Sequence, residues 1–186
     1  MSIIITHNAF LREALKWVLE HSFTTREICL IDLEGCSCLQ NLMCELEKHE
    51  LSSDAEFYFL GSRGIYSELL AKFDVISSHS SINDVLNQLS NKRGIGMTDL
   101  VEHVYACRTL KDLTKSQLRT CIMRRYKSNA SIAQTLRVST KNVDSTLYTA
   151  MQRLGLSSVT NLQRYISCEF SGFELDWLLL RHGVWF

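Results

Sequence analysis

The chain has 186 residues, 46% of them hydrophobic, and its 20 Lys/Arg balance 20 Asp/Glu, so the net charge of zero says nothing about partners. No apolar run approaches the ~20 residues a spanning helix needs, and the opening run Ile3–Ile5 is too short for a secretory leader. A cytoplasmic protein with no membrane partner is therefore expected. The charge is unevenly placed: residues 1–107 carry eight basic and fifteen acidic side chains, 108–166 eleven and two, 167–186 one and three.

In the acidic half, Ser2-Ile3-Ile4-Ile5 reads as a buried strand, followed by an amphipathic helix from Phe10 to Leu19. Further apolar runs lie at Ile28–Ile31, Phe57–Leu60 and Phe73–Ile76, with helical stretches around Leu39–Leu46, Ile65–Ala71 and Ile82–Leu89. Strands alternating with helices imply a parallel sheet covered on both faces. Asn91-Lys92-Arg93-Gly94-Ile95-Gly96 is the most linker-like stretch, and Met97–Cys107 reads as a helix bridging two domains.

The basic block spells out three helices. Leu118, Cys121, Ile122 and Tyr126 recur at helical spacing behind Thr114, a residue able to cap a first turn. Ile132, Ala133 and Leu136 form a second, shorter apolar face, and small Ala133 lets another helix approach. Arg137-Val138-Ser139 breaks the period, and Ser139 can cap a third helix that buries Val143, Leu147, Ala150, Met151 and Leu154 and stops at Gly155. Two short helices, a tight turn and a third helix, basic outside, are the parts of a helix-turn-helix. Such a block makes a local positive potential that attracts a polyanion.

Leu113-Thr114, Ile132-Ala133-Gln134-Thr135-Leu136, Val138-Ser139, Lys141, Val143 and Leu154-Gly155 together resemble the LuxR-type (NarL/FixJ) DNA-binding domain over about a third of the chain. The resemblance implies a bacterial transcription regulator with double-stranded DNA as partner. Departures are Gln117 where the family carries an acid, a loop Tyr126-Lys127-Ser128-Asn129 without Gly, Asp144 in place of a Lys, and Thr146 in place of a frequent His. With Val143 and Leu147 inward, Lys141, Ser145, Tyr148, Thr149 and Gln152 face out, flanked by Asn142 and Asp144. The expected DNA-binding set is Lys127, Arg137, Thr140, Lys141, Asn142, Asp144, Ser145, Tyr148, Thr149 and Arg153, with Lys115, Arg119, Arg124 and Arg125 as further phosphate anchors. Asp144 would repel phosphate yet could accept from cytosine N4. The resemblance also implies a dimer contact on the helix after Gly155, through Leu162, Tyr165 and Ile166, in a homodimer or in a heterodimer with a related regulator.

Phe10-Leu11-Arg12-Glu13-Ala14-Leu15 makes the first domain similar to a receiver, shortened by one strand-helix unit. Receiver chemistry requires an acidic pair, a phosphoacceptor Asp and a Lys. The acidic pair falls on Thr6 and His7, the Lys near Ser77 or Ser78, and Asp32 alone stands where the acceptor would be, a vestigial position. The expected architecture is thus a degenerate receiver-like α/β domain at 1–93, a linker with a helix at 94–110, an all-α helix-turn-helix domain at 111–167 and an apolar tail at 168–186. That tail, from Phe170 through Trp177 to Val184-Trp185-Phe186, either packs back on its own core or makes a dimer contact. Seven cysteines in an odd, scattered set suit reduced thiols, with Cys36 and Cys38 as exposed redox candidates. Neither cysteines nor the six histidines show metal-ligand spacing, and no phosphate loop or nucleophile motif is present. No metal, cofactor or enzymatic activity is expected.

Overall fold

The computed structural model describes residues 2–22, 26–62 and 64–181. It divides into two compact units, Met1–Val104 and Tyr105–Phe186.

In the first unit β1 (Ile3–Ile5), β2 (Ile28–Asp32), β3 (Glu56–Gly61) and β4 (Ile76–Ser77) form a parallel sheet in the order β1-β2-β3-β4. Their helices are α1 (Ala9–His21), α2 (Leu39–Glu47), α3 (Ile65–Leu69) and α4 (Ile82–Asn91). Side chains alternate across a strand, so Ile28, Leu30, Tyr58, Leu60 and Ile76 share one face. There they cluster with Leu15 and Val18 of α1 and Val85 and Leu89 of α4. Cys29, Ile31, Phe57 and Phe59, equally buried, point the other way. On that side Leu42 of α2 lines a cleft with Ile5 and Ile31, and Phe73 tilts against Phe59 with ring centroids 6.1 Å apart.

The strands step across the sheet in one direction while α1 and α2 lie on opposite faces. The β1-α1-β2 crossover therefore has the opposite hand to the one through α2. Uniformly handed crossovers, the near-universal rule, would put every helix of a sequentially ordered sheet on one face and leave the other wet. One reversed crossover covers both. The doubly wound order 2-1-3-4-5 reduces to this sheet when its second strand is removed, in keeping with the shortened unit expected from the sequence.

Two expectations shift. Phe73, assigned to the fourth strand, instead sits in a 3-10 turn, Ala71–Phe73, closed by Asp74 at φ 54°. The linker-like stretch docks on the sheet: Ile95 and Phe57 exchange both backbone hydrogen bonds, at 2.9 and 3.1 Å. A Cβ on Gly94 would lie 2.7 Å from Tyr58 Cε2 and 2.9 Å from the Phe57 carbonyl, so only glycine permits that approach. The helix α5 (Met97–Thr109) follows, and the boundary between units falls inside it.

The second unit is all helical: α6 (Lys115–Arg124), α7 (Asn129–Leu136), α8 (Thr140–Arg153), α9 (Val159–Glu169) and α10 (Gly172–Arg181). Each of α6 to α9 starts at a hydroxyl cap, Thr114, Ser128, Ser139 and Ser158, whose oxygen accepts from the amide three residues on. Gln117, the departure from the family acid, completes a capping box with Thr114: its side-chain carbonyl accepts from Thr114 N at 2.9 Å. Arg108 in the last turn of α5 donates to Glu169 at 2.8 Å and to Glu174 at 2.7 Å, tying α9 and α10 to it.

The Glu169 side chain is fully buried. Replacing Arg108 with Ala strips a buried carboxylate of its counter-charge, and the expected loss is about 3–5 kcal/mol. Glu174 is partly exposed, and Glu174→Ala should cost under about 1 kcal/mol. Urea unfolding of the full chain distinguishes the two, and equal effects would contradict the assignment.

Candidate nucleic-acid interface

The α7–α8 pair is held by a turn with unusual backbone. Arg137 ends α7 at φ 54° and ψ 44°, the left-handed region. Its amide reaches Gln134 O at 3.3 Å and the next amide, Val138, reaches Ala133 O at 3.0 Å. That pattern closes a helix C-terminus as a glycine commonly does. It leaves the Arg137 side chain exposed at the corner of the turn.

The position of α8 follows from its apolar stripe. Val143, Leu147, Ala150 and Met151 are buried, and α8 packs on α6, α7 and α9. Lys141, Asn142, Ser145 and Tyr148 are thereby exposed, while Thr146 and Thr149 are half-buried. Both threonines donate back to the helix, Thr146 to Asn142 O at 2.7 Å and Thr149 to Ser145 O at 2.9 Å. Their hydroxyls keep acceptor capacity for a ligand donor, and Ser145 and Tyr148 carry exposed hydroxyls on this face.

Beside the first half of α8 lies an open cleft of about 580 Å³. Lys115, Ser116, Arg119 and Thr120 of α6 line one wall, Leu136 and Val138 the corner, and Asn142, Ser145 and Thr146 the other wall. The cleft sets two cations next to amide and hydroxyl groups of the exposed helix. An anionic strand with hydrogen-bonding edges suits that chemistry. Ser116 and Thr146 were not expected as site residues; the four-residue spacings Lys115–Arg119 and Asn142–Thr146 were the available signal, but which helix faces which is not written in either.

The remaining expected residues scatter around this centre. Thr140 is exposed in the first turn of α8. Exposed Lys127 reaches Thr135 Oγ1 at 3.4 Å. Arg153 donates to Asp112 O at 3.1 Å, at the far end of α8. Arg125 donates to Phe170 O at 2.7 Å, with its guanidinium 5.6 Å from the Tyr126 ring centroid, so it also has a packing role. Asp144 is engaged inside the unit: Asn129, at the first turn of α7, donates to its Oδ1 at 2.5 Å. A carboxylate beside a helix N-terminus is favourably placed against the helix dipole. It stands on the α7 side of α8, whereas the cleft opens on the α6 side.

The structure places Leu162, Tyr165 and Ile166 inside their own unit, 1%, 0% and 1% exposed. Their stripe faces α6 and α8, and the Tyr165 ring meets Phe170 edge-on at 5.8 Å. What α9 leaves outside is polar: Thr160, Arg164, Ser167 and Cys168. The tail packs back through Leu175, Leu178 and Leu179 of α10. Its last apolar residues, Val184, Trp185 and Phe186, lie outside the described residues.

In the first unit Asp32 ends β2 and is buried. Thr6 Oγ1 donates to its Oδ2 at 2.6 Å, and Glu34 N to its Oδ1 at 3.0 Å. Ser77 ends β4, two strands away at the same end of the sheet. A hydroxyl thus meets Asp32 on the side where a metal-binding carboxylate was expected to be missing. Burial pushes the thiols of Cys29 and Cys121 up to about 12, which makes them packing groups. Cys38 caps α2, its Sγ accepting from Asn41 N at 3.3 Å. Among the described residues no three His, Cys, Asp or Glu gather as metal donors, and no helix is long and apolar enough to cross a membrane.

No protein-family model and no curated protein sequence matches the chain. Solved structures do. The two-component response regulator RcsB in complex with DNA matches with a TM-score of 0.59 at 13% identity, over 90% of this chain and 97% of that one. RcsB of Salmonella enterica serovar Typhimurium, bound to promoter rprA in the presence of the phosphomimetic BeF3−, matches with a TM-score of 0.58 at 16% identity, covering 90% and 98%. Two RcsB dimers bound to two parallel DNAs match with a TM-score of 0.56 at 15% identity, covering 90% and 97%. The chain shares the fold of these regulators: a parallel sheet with helices, then an all-helical region.

A left-handed backbone costs an L-residue roughly 1–2 kcal/mol, and glycine escapes that cost. Arg137→Gly should therefore leave the melting temperature unchanged or slightly raised, while Arg137→Val should lower it. A clear loss on Arg137→Gly would show that the side chain, and not the backbone, holds the turn.

Proposed function

We propose that this protein is a DNA-binding transcription regulator that acts as a dimer and without phosphoryl control at Asp32. The observation that carries the reading is the cleft in which Lys115 and Arg119 stand beside the exposed first half of α8. In helix-turn-helix docking the N-terminal residues of the second helix meet base edges in the major groove, and the flanking elements hold phosphates. On this reading Lys141, Asn142, Ser145, Tyr148 and Thr149 read sequence, and Lys115, Lys127, Arg137, Thr140 and Arg153 anchor the backbone. Asp144 positions α8 through Asn129 and leaves base contact to its neighbours. The shared fold with DNA-bound RcsB supports the same partner.

The surroundings of Asp32 support the absence of phosphoryl control. Thr6 and the Glu34 amide occupy one oxygen each, and neither Thr6 nor His7 supplies the hard oxyanion that Mg²⁺ requires. A second reading, an auxiliary subunit paired with a related regulator, is favoured by one feature: the acid Asp144 on α8, held by Asn129. Contact with one half-site, or with protein alone, would then suffice.

Binding should be steeply salt-dependent, with log affinity falling about 0.9 per phosphate contact against log salt. Arg137→Gly, which preserves the turn, should weaken specific and random DNA alike. Ser145→Ala should cost roughly 1–3 kcal/mol on the best site and little on random DNA. Fluorescence titration with genomic fragments reads all three, and no binding at 50 mM salt, alone or with a cellular extract, defeats the reading.

Acetyl phosphate with Mg²⁺ should leave the mass of the protein unchanged, and Asp32→Asn should regulate normally. A stable mass gain that Asp32→Asn abolishes would restore phosphoryl control. Mass measurement of the complex drawn from the native cell separates the stand-alone dimer, with one polypeptide, from the auxiliary subunit, with two.

A further inference from the structure

The sheet of the first unit ends at β1, and one residue there directs both backbone groups off the edge. In a parallel ladder alternate residues address alternate neighbours. Leu33 donates to Leu60 O at 2.8 Å, so the odd-numbered residues of β2 face β3 and Leu30 faces β1. Leu30 stands opposite Ile4 and therefore bonds Ile3 and Ile5, which leaves the Ile4 N–H and C=O pointing away from the sheet. The Thr6 carbonyl points the same way and is taken by the Arg12 guanidinium. Among the described residues nothing bonds the Ile4 pair. Open edges of this kind are templates for another strand.

Clefts flank the edge on both faces. The one on the α1 side, about 430 Å³, is lined by Ser2, Ile4, Arg12, Lys16, Leu19 and Glu20. The one on the α2 side, about 440 Å³, has Ile5, Ile31 and Leu42 in its wall. A strand laid beside β1 sends alternate side chains to these two sides, the arrangement by which sheet edges accept an added strand. The α1 wall says which strand. Arg12 is held at the Thr6 end of β1 by its bond there. Glu20 lies two turns further along a helix that runs back against β1, and so stands at the Ser2 end; both side chains are exposed.

We infer that β1 pairs antiparallel with the β1 of a second copy of this chain, about a two-fold axis at Ile4. Ile4 then donates to and accepts from the partner's Ile4, and each Glu20 meets the partner's Arg12. An axis perpendicular to the sheet keeps α1 of both copies on one face, so these charges share one side. The helix α1 sits astride β1 and β2, packed on Ile4, Ile28 and Leu30. Its axis therefore lies two strand spacings, about 10 Å, from that of the partner's α1, the distance at which helices pack. Ile4 and Leu19 of both copies close over the axis, and Lys16 between the charged ends keeps Glu13 as its counter-ion at 2.7 Å. An arbitrary extended peptide would match the backbone groups but not this reversal of charge.

This inference rests on the dimer reading above and names its surface: the β1 edge in place of the buried stripe of α9. The test is sedimentation equilibrium of the full chain, which should self-associate at high micromolar concentration. Ile4→Pro removes the outward N–H without breaking a bond to β2, and proline is tolerated at such edge positions. It should raise the dimer Kd about tenfold, since two N–H···O bonds are lost and each contributes a factor of roughly 2–10. Glu20→Arg and Arg12→Glu should each weaken the dimer several-fold, and the double variant should recover it. Within one chain these two residues lie about 12 Å apart along α1, at 1.5 Å per residue, so recovery reports a contact between copies. Circular dichroism checks that the variants stay folded; if Ile4→Pro does not, the charge series decides. A dimer indifferent to every variant would keep the dimer reading and overturn this one. Single swaps that weaken the dimer without recovery in the double also overturn it, as does an Ile4→Pro that loses a co-purifying protein while self-association stays. A chain that stays monomeric at high micromolar concentration, free and on DNA, overturns both.

Discussion

Five helices of 8 to 14 residues make up the second unit from α6 onward. Helices of that length are marginal or unstable alone in water, and packing of an apolar face supplies most of their stability. Every outward side chain of the unit is therefore where it is because an inward one had to be buried. Val143, Leu147, Ala150 and Met151 fix the rotation of α8 about its axis. That rotation presents Asn142, Ser145 and Thr146 to the wall built by Lys115 and Arg119. The same rotation carries Asp144 to the α7 side, where Asn129 takes it. One seam of apolar contacts thus separates a basic, hydrogen-bonding side of α8 from a side on which its acid is satisfied internally.

A comparable constraint shapes the first unit. A parallel sheet with two apolar faces must cover both, and a sequential strand order does so only with one crossover reversed. The price is a sheet without the reversal of strand order at which open α/β folds usually place their ligand. Thr6 and Asp32, neighbours at the ends of β1 and β2, bond to each other there. The arrangement closes the strand ends with a hydroxyl–carboxylate contact.

Much of this was legible in the residues. Hydroxyl residues ahead of periodic apolar runs marked the helix starts at Thr114 and Ser139, and alternation with helices marked the parallel sheet. Local chemistry carries such signals, and local chemistry is what a sequence displays. The stripe Leu162, Tyr165 and Ile166 was equally visible, but a stripe does not say whether it faces its own core or a second molecule. The reach of α6 and α8 decided that. Arg137 gave no sign of a left-handed turn, because the residue common there is glycine; the bonds from its own amide and that of Val138 hold it. Gly94-Ile95 read as a linker since nothing local reports that Phe57, 38 residues earlier, has a free backbone edge waiting for Ile95. The pairing of Asp144 with Asn129 is likewise a tertiary fact, 15 residues apart in the chain.

The charge count of the basic block overstates what one copy can offer a polyanion. Arg108 belongs to the block by sequence, yet its charge is matched by Glu169 and Glu174 within the unit. Arg125 and Arg153 each direct one donor at a backbone carbonyl, of Phe170 and of Asp112. The exposed cations near α8 are then few: Lys115, Lys127, Arg137, Lys141 and Arg153. Affinity for a phosphate backbone grows with the number of neutralised phosphates, and a small set on one unit gives a weak site. Two units held together act on one strand of sites with the second contact made at high effective concentration, which multiplies affinity without a new cation.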